Sequence, residues 1–248
     1  MNESKATVGS CAMAVMGKAS FPGRAKTRLI PEIGAENAAR LNTAFLQDIT
    51  TNLLQASVEA PISAYVAYGP AGAEQFFRDQ VSSQVHLVEC SLPDFGECLF
   101  RAITTMLDRG HFAACVVNAD SPTLPTGYLV EAARHLALPG DRAVLGPSTD
   151  GGYYFLGIKA PHRRLFEEIA WSTPSVAAQT RLRATELGLE LVSLESWYDV
   201  DDGLSLRQLL TELAQPAPRP IDGAVRYAAP HTRAALNAMR EQPGCAIA

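Results

Sequence analysis

The chain has 248 residues, enough to bury a substantial core, and α/β domains of this size commonly remain one unit. With 47% hydrophobic, 19% charged and 7% aromatic residues it lies in the ordinary globular range, away from the polar bias of disordered chains. Its 21 Lys and Arg against 26 Asp and Glu give a formal charge of −5, which argues against nucleic acid as a partner, and no apolar run approaches the ~20 residues of a membrane span.

Short apolar runs at Cys11–Met16, Ile62–Tyr68, Val85–Val88 and Ala113–Val117 read as strands, separated by segments with helical spacing. Ala38, Leu41, Phe45, Ile49 and Leu53 mark the buried stripe of one amphipathic helix, and Leu99, Ile103 and Met106 mark another. Strands follow at Ala143–Gly146, Tyr153–Ile158 and Leu189–Leu194, with helices around Gly127–Leu136, Ser175–Leu187 and Leu204–Leu213. This alternation predicts an α/β fold with a mostly parallel sheet covered by helices. Pro216, Pro218 and Pro220 then break regular structure, so residues 1–215 are expected to form the domain and 216–248 a peripheral tail with one short helix near Thr232–Met239.

The segment from Gly17 to Arg28, Gly-Lys-Ala-Ser-Phe-Pro-Gly-Arg-Ala-Lys-Thr-Arg, sits between the first strand and the first long helix. Open α/β sheets bind ligands at the carboxyl ends of their strands. Gly17 and Gly23 allow tight backbone paths, and Lys18, Arg24, Lys26 and Arg28 can neutralise phosphate. Arg24 and Ala25 separate Gly23 from Lys26-Thr27, so this is not a Walker A loop, and no GxGxxG is present at this turn. A solvated cationic surface loop is the plain alternative.

Three further segments carry carboxylates. Asp120, at the end of the strand Ala113–Val117, is the leading metal-ligand candidate, because a hard oxygen donor suits Mg²⁺ or Mn²⁺; an Asp-Ser-Pro turn is the alternative. The bend Asp150-Gly151-Gly152 lets backbone approach a ligand closely, with Asp150 and Tyr153 as polar contacts, although a hairpin needs glycine for its own reasons. In Trp197-Tyr-Asp-Val-Asp-Asp202, Asp201 is preferred as a second metal ligand because Asp202 can cap the following helix. Trp171-Ser-Thr173 reads either as a substrate-side loop or as a buried Trp with a turn.

Other chemistries lack motifs. The five histidines show no zinc spacing, there is no GxSxG elbow, and the five cysteines form no CxxC pair, so packing is their expected role. Met1 to Gly9 lacks the pattern of a secretory signal, which makes the cytoplasm the expected compartment.

Taken together and in this order, Lys18…Pro22-Gly23…Lys26-Thr27-Arg28-Leu29, Asp120-Ser-Pro122, Gly146-Pro147…Asp150-Gly-Gly-Tyr153, Trp171-Ser-Thr173 and Asp199-Val-Asp201 resemble a bacterial family of the GT-A superfamily of nucleotide-diphospho-sugar transferases. Its members are described as radical-SAM/selenodomain-associated transferases or candidate arsenosugar-biosynthesis glycosyltransferases, and the likeness runs roughly from Ala12 to Leu213. The resemblance implies a three-layer α/β/α sandwich. It implies nucleotide and phosphate binding by Gly17, Lys18, Gly23, Arg24, Lys26, Thr27 and Arg28 with Gly151 and Gly152, and Mg²⁺ or Mn²⁺ on Asp120 and Asp201. Lys26, Asp120 and Asp150 are then the expected catalytic residues, with Glu97 a second candidate base beside Asp150. Where such families continue Thr-x-x-Asp after Asp201, this chain reads Asp202-Gly-Leu-Ser205. Glycosyl transfer from a nucleotide-diphospho-sugar to a small-molecule acceptor is the leading expectation. Nucleotidyl transfer from a nucleoside triphosphate comes second, since the loop also looks like those of molybdenum-cofactor and phospholactate nucleotidyltransferases, and a non-catalytic nucleotide-binding protein comes third.

Overall fold

The structure, a computed structural model, describes residues 9–215 and 225–241. All seven apolar runs form strands: β1 (Cys11–Lys18), β2 (Ile62–Gly69), β3 (His86–Glu89), β4 (Ala113–Val117), β5 (Arg142–Pro147), β6 (Tyr153–Ile158) and β7 (Glu190–Ser193). The helices are α1 (Ile30–Ile33), α2 (Ala35–Ala56), α3 (Glu74–Gln80), α4 (Phe95–Asp108), α5 (Thr126–Ala137), α6 (Val176–Glu186), α7 (Gly203–Ala214) and α8 (Pro230–Arg240). Helix α3 is one the sequence did not announce, because among its residues Phe77 alone is buried and no repeating stripe results.

The strands form one sheet in the order β3-β2-β1-β4-β6-β5-β7. Every pairing is parallel except those of β6 with β4 and with β5. Alternate side chains leave the sheet on opposite faces. Cys11, Met13 and Val15 of β1 thus join a core with Leu41, Phe45, Ile49 and Leu53 of α2 and with residues of α5, α7 and α8. Ala12 and Ala14 join the other core with Leu99, Ile103 and Met106 of α4 and with α6. The result is a three-layer α/β/α sandwich around a mostly parallel sheet. The four cysteines within the described residues are buried and free, with the sulfurs of Cys11 and Cys115 3.5 Å apart; Cys245 lies outside those residues.

Residues 225–241 are tied into this fold rather than hanging off it. The Asp48 carboxylate of α2, fully buried, accepts the backbone N–H groups of His231 at 3.0 Å and Thr232 at 2.7 Å, and so satisfies the free donors at the start of α8. Leu236 and Met239 enter the α2 core, and the Tyr227 N–H donates to the Thr123 carbonyl at 3.1 Å. Pro216, Pro218 and Pro220 lie outside the described residues.

Candidate functional site

Both strand topology and loop bracing gather the charged segments at one end of the sheet. Strands β1 and β4 are neighbours and parallel, so their carboxyl ends open side by side. Because β6 runs antiparallel between β4 and β5, the bend from Ser148 to Gly152 arrives at the same end. The exit of β4 is laced to the segment before α7: Val200 N–H donates to the Asp120 carbonyl at 2.8 Å, and Ser121 Oγ donates to the Tyr198 carbonyl at 2.9 Å. From α2, buried Asn52 donates to the Leu124 carbonyl at 2.7 Å and accepts from Thr126 Oγ1 at 2.6 Å, fixing the turn from below. Asn42 braces the first loop by donating to Ser20 Oγ at 2.8 Å and the Lys18 carbonyl at 3.2 Å.

The outcome is a cleft of about 730 Å³ lined by Lys18, Arg24, Lys26, Thr27 and Arg28 together with Asp120, Asp150, Gly152, Asp199 and Asp201. A second cavity of about 530 Å³, lined by Gly17, Pro70, Cys90 and Leu92 among others, shares Met16, Lys18, Arg24 and Phe95 with it. The positive loop and the carboxylates therefore face one space.

Lys26 joins the two halves. Its Nζ lies 2.8 Å from Asp120 Oδ1 and 2.7 Å from Asp201 Oδ1, and donates to the Val200 carbonyl at 2.8 Å. Its side chain is 5% exposed, against 32% for Asp120 and 41% for Asp201. Burial works against its charge, but the two carboxylates outweigh that and hold its pKa above the ordinary lysine value. The backbone at Lys26 is left-handed, with φ 47 and ψ 47, a region that costs a residue with a Cβ about 1–2 kcal/mol. Lys26 is thus held on the carboxylates rather than extended toward the open cleft with Arg24 and Arg28.

Asp199 is half-buried beside them, and its carboxyl is pushed up to about 6 by burial first and then by the charges of Asp150, Asp201 and Asp120. The Asp150 carboxylate accepts the Gly152 N–H at 2.8 Å, so its bend has a local reason for the acid. Asp202 caps α7, accepting from the N–H groups of Leu204 and Ser205, while Ser205 Oγ accepts from Asp202 N–H, which leaves Asp201 to the cleft. Asp120 and Asp201 offer two hard oxygens converging on one point, a donor set that suits a small divalent cation completed by phosphate and water. Among the described residues no group of three or more His, Cys, Asp and Glu is placed to hold a metal.

Four expected residues sit elsewhere. Gly17 lines the second cavity, and a Cβ there would meet Phe77 and Val66 at 2.7 and 2.8 Å, a packing requirement. Gly23, φ +77, turns the loop without lining either cavity. Gly151, φ +93, lies against Pro174, and its carbonyl accepts the Ala177 N–H at 3.0 Å, so it anchors the Trp171 loop. Glu97 lines neither cavity and pairs with Arg163.

The sequence reading missed Asn118, Ser148 and Phe95. Asn118 Oδ1 and Ser148 Oγ are buried, without a hydrogen-bond partner, and belong to residues lining the cleft. A polar residue at the end of a fully apolar strand, two before Asp120, was the available signal for Asn118. Trp171 lines the cleft too, edge-on to Phe95 at 5.3 Å and to Tyr153 at 6.4 Å, where burial pushes the Tyr153 phenol up and leaves its hydroxyl unpartnered.

A family model described as "Uncharacterized protein conserved in bacteria (DUF2064)" matches residues 50–173. Among solved structures, a candidate nucleotide-diphospho-sugar transferase from Desulfovibrio desulfuricans G20 aligns over 94% of this chain and 97% of its own, with a TM-score of 0.78 and 24% identity. The 4-diphosphocytidyl-2C-methyl-D-erythritol synthase of Anaerococcus prevotii DSM 20548 aligns over 84% and 97%, with a TM-score of 0.54 and 10% identity. CMP:2-keto-3-deoxy-manno-octonic acid synthetase complexed with CTP aligns over 84% and 99%, with a TM-score of 0.50 and 14% identity. These likenesses are of fold. No curated protein matches the sequence. No helix among the described residues is long and apolar enough to cross a membrane.

Proposed function

The chain belongs to the DUF2064 family of bacterial proteins, and from that premise and the cleft we propose that it is a metal-dependent transferase acting on a nucleotide-activated substrate, transferring a glycosyl group from a nucleotide-diphospho-sugar. The observation that carries this reading is the shared cleft of about 730 Å³, lined both by exposed Arg24 and Arg28 and by Asp120 and Asp201. In this reading the arginines and Lys18 bind the diphosphate and the adjoining cavity takes the nucleoside; their positive charge in the lining supports it. A cation held by Asp120 and Asp201 would neutralise charge on the departing nucleoside diphosphate. The same class of substrate is named for the Desulfovibrio protein that shares this fold.

The acceptor side favours sugar transfer over nucleotidyl transfer. The four Lys and Arg side chains lining the cleft come from the end of β1 and the loop after it, whereas the rest of its lining includes Asp150, Asp199, Tyr153 and Trp171 and the unpartnered Asn118 Oδ1 and Ser148 Oγ. A neutral polyhydroxyl acceptor fits those groups; an attacking phosphate would meet like charge. Asp199, with a pKa near 6, is suited to take the acceptor's proton. The acceptor oxygen would then bond the anomeric carbon as its bond to the diphosphate breaks. Incubating the chain with a panel of nucleotide sugars and Mn²⁺ should release nucleoside diphosphate. Pyrophosphate release from nucleoside triphosphates would move the assignment to nucleotidyl transfer, and tight binding without any product would leave a non-catalytic binder.

A further inference from the structure

We propose that Lys26 is the resident counter-ion of the Asp120–Asp201 pair, and that a divalent cation takes this position only by displacing its ammonium. The inference rests on the metal-dependent reading above and adds the residue that governs access to the metal position. An alkylammonium has three N–H donors. In this fold each has an acceptor within 2.8 Å: Asp120 Oδ1, Asp201 Oδ1 and the Val200 carbonyl. The ammonium also stands 5.6 Å from the ring centroid of Phe45, a residue of the central core, so its position is built in from below as well as from the sides.

Two consequences follow from that saturation. No donor of Lys26 is left for a phosphate oxygen, although Lys26 belongs to the same loop as Arg24 and Arg28, which are exposed to the cleft. Nor can a second cation reach Asp120 Oδ1 and Asp201 Oδ1 together while Nζ sits between them, because the two cations would occupy the same place and repel. The carboxylates nonetheless have reason to take a dication. Asp150 and Asp199 line the same cleft and add negative charge to it. Once displaced, the Lys26 ammonium has unmet donors and a diphosphate within the cleft as its natural acceptor. Metal and nucleotide would therefore each favour the other's binding.

Mn²⁺ titration of the nucleotide-free full chain, followed calorimetrically and by electron paramagnetic resonance of the free ion, tests the proposal. Lys26→Gln should bind Mn²⁺ about tenfold tighter than the parent, because the carboxylates no longer spend most of their time occupied. Arg28→Gln removes one positive charge from the same cleft without vacating the pair, and should change the affinity by less than about twofold. Equal tightening in both variants, or none in Lys26→Gln, overturns the proposal. A second measurement uses the unaltered chain, in case Lys26→Gln folds poorly. The sequence holds four lysines, so ¹³C-lysine labelling gives four side-chain ε signals, and Mg²⁺ should shift that of Lys26 as its ammonium leaves the carboxylates. A Lys26 signal unmoved at saturating Mg²⁺ overturns the proposal while leaving the transferase reading intact. Absence of Mn²⁺ binding in every variant, with and without a nucleoside diphosphate, sinks both the proposal and the metal dependence of the function.

Discussion

Gly151 lies so close to Pro174 that a Cβ on the glycine would fall 2.1 Å from the proline carbonyl oxygen. This contact seats the loop that carries Trp171 against the bend that carries Asp150. Gly151→Ala adds that collision to a left-handed backbone at φ +93, and should destabilise the protein by about 3 kcal/mol. It should also displace the loop. Urea unfolding measures the first effect and acceptor KM the second; a stable variant with unchanged KM would show that the loop does not depend on this contact.

Trp171 itself should act on the acceptor and not on the nucleotide. Its ring packs edge-on to Phe95 and Tyr153 in the lining of the cleft. Trp171→Ala should raise acceptor KM about tenfold and leave nucleotide affinity within about twofold, as expected for loss of one aromatic contact surface. A loss confined to nucleotide binding would reassign the ring.

The tie between α2 and α8 gives a prediction remote from the cleft. Asp48 is buried and its pKa is raised, by burial first, with the hydrogen bonds from Thr232 and His231 acting in the other direction. Asp48→Ala leaves two backbone donors unmet and should cost about 2–3 kcal/mol. Amide exchange should then quicken across Pro230–Arg240 before it does in β1. Uniform quickening throughout the chain would contradict local release of α8.

Protons offer another handle at His111, buried with Nδ1 2.9 Å from Ser10 Oγ and Nε2 2.9 Å from Tyr65 Oη. Burial, helped by the charges of His86 and Arg109 and opposed by the Ser10 hydrogen bond, holds its pKa below the ordinary 6.5. The unfolded chain therefore takes up this proton more readily than the folded one. The stability it contributes is fully present above 6.5 and is lost as pH falls through 6.5 and the lower folded value. Urea midpoints between pH 5 and 8 should fall less steeply with acid in His111→Gln than in the parent; identical slopes would exclude His111 as a source.

Much of this architecture is written in local patterns. Strands such as Ala113–Val117 are runs of buried residues on both faces, and α2 carries a regular apolar stripe, so each announces itself within a few residues. What local pattern does not carry is pairing. Nothing in Tyr153–Ile158 says that it inserts antiparallel between β4 and β5, yet that insertion brings Asp150 to the end of the sheet where Asp120 lies. The docking of α8 was hidden similarly, because its anchor Asp48 reads in sequence as one polar residue among others on α2. At the cleft, the loop after β1 and the carboxylates were legible as charge. The four cations look equivalent in sequence, and only the left-handed turn at Lys26 separates the one held by carboxylates from those open to a ligand.

Lys26 and Asp201 are 175 positions apart in the chain and meet at 2.7 Å. During synthesis, all seven strands have been translated by Ser193, before Asp201 has been added. A nascent chain halted there holds Lys26 and Asp120 without the third member of the trio, and without the Val200 carbonyl that completes the ammonium's shell. Ligand capture in the form described belongs to chains carried past residue 201, so a product terminated between Ser193 and Asp201 should lack the second carboxylate of the trio even where all the strands are present.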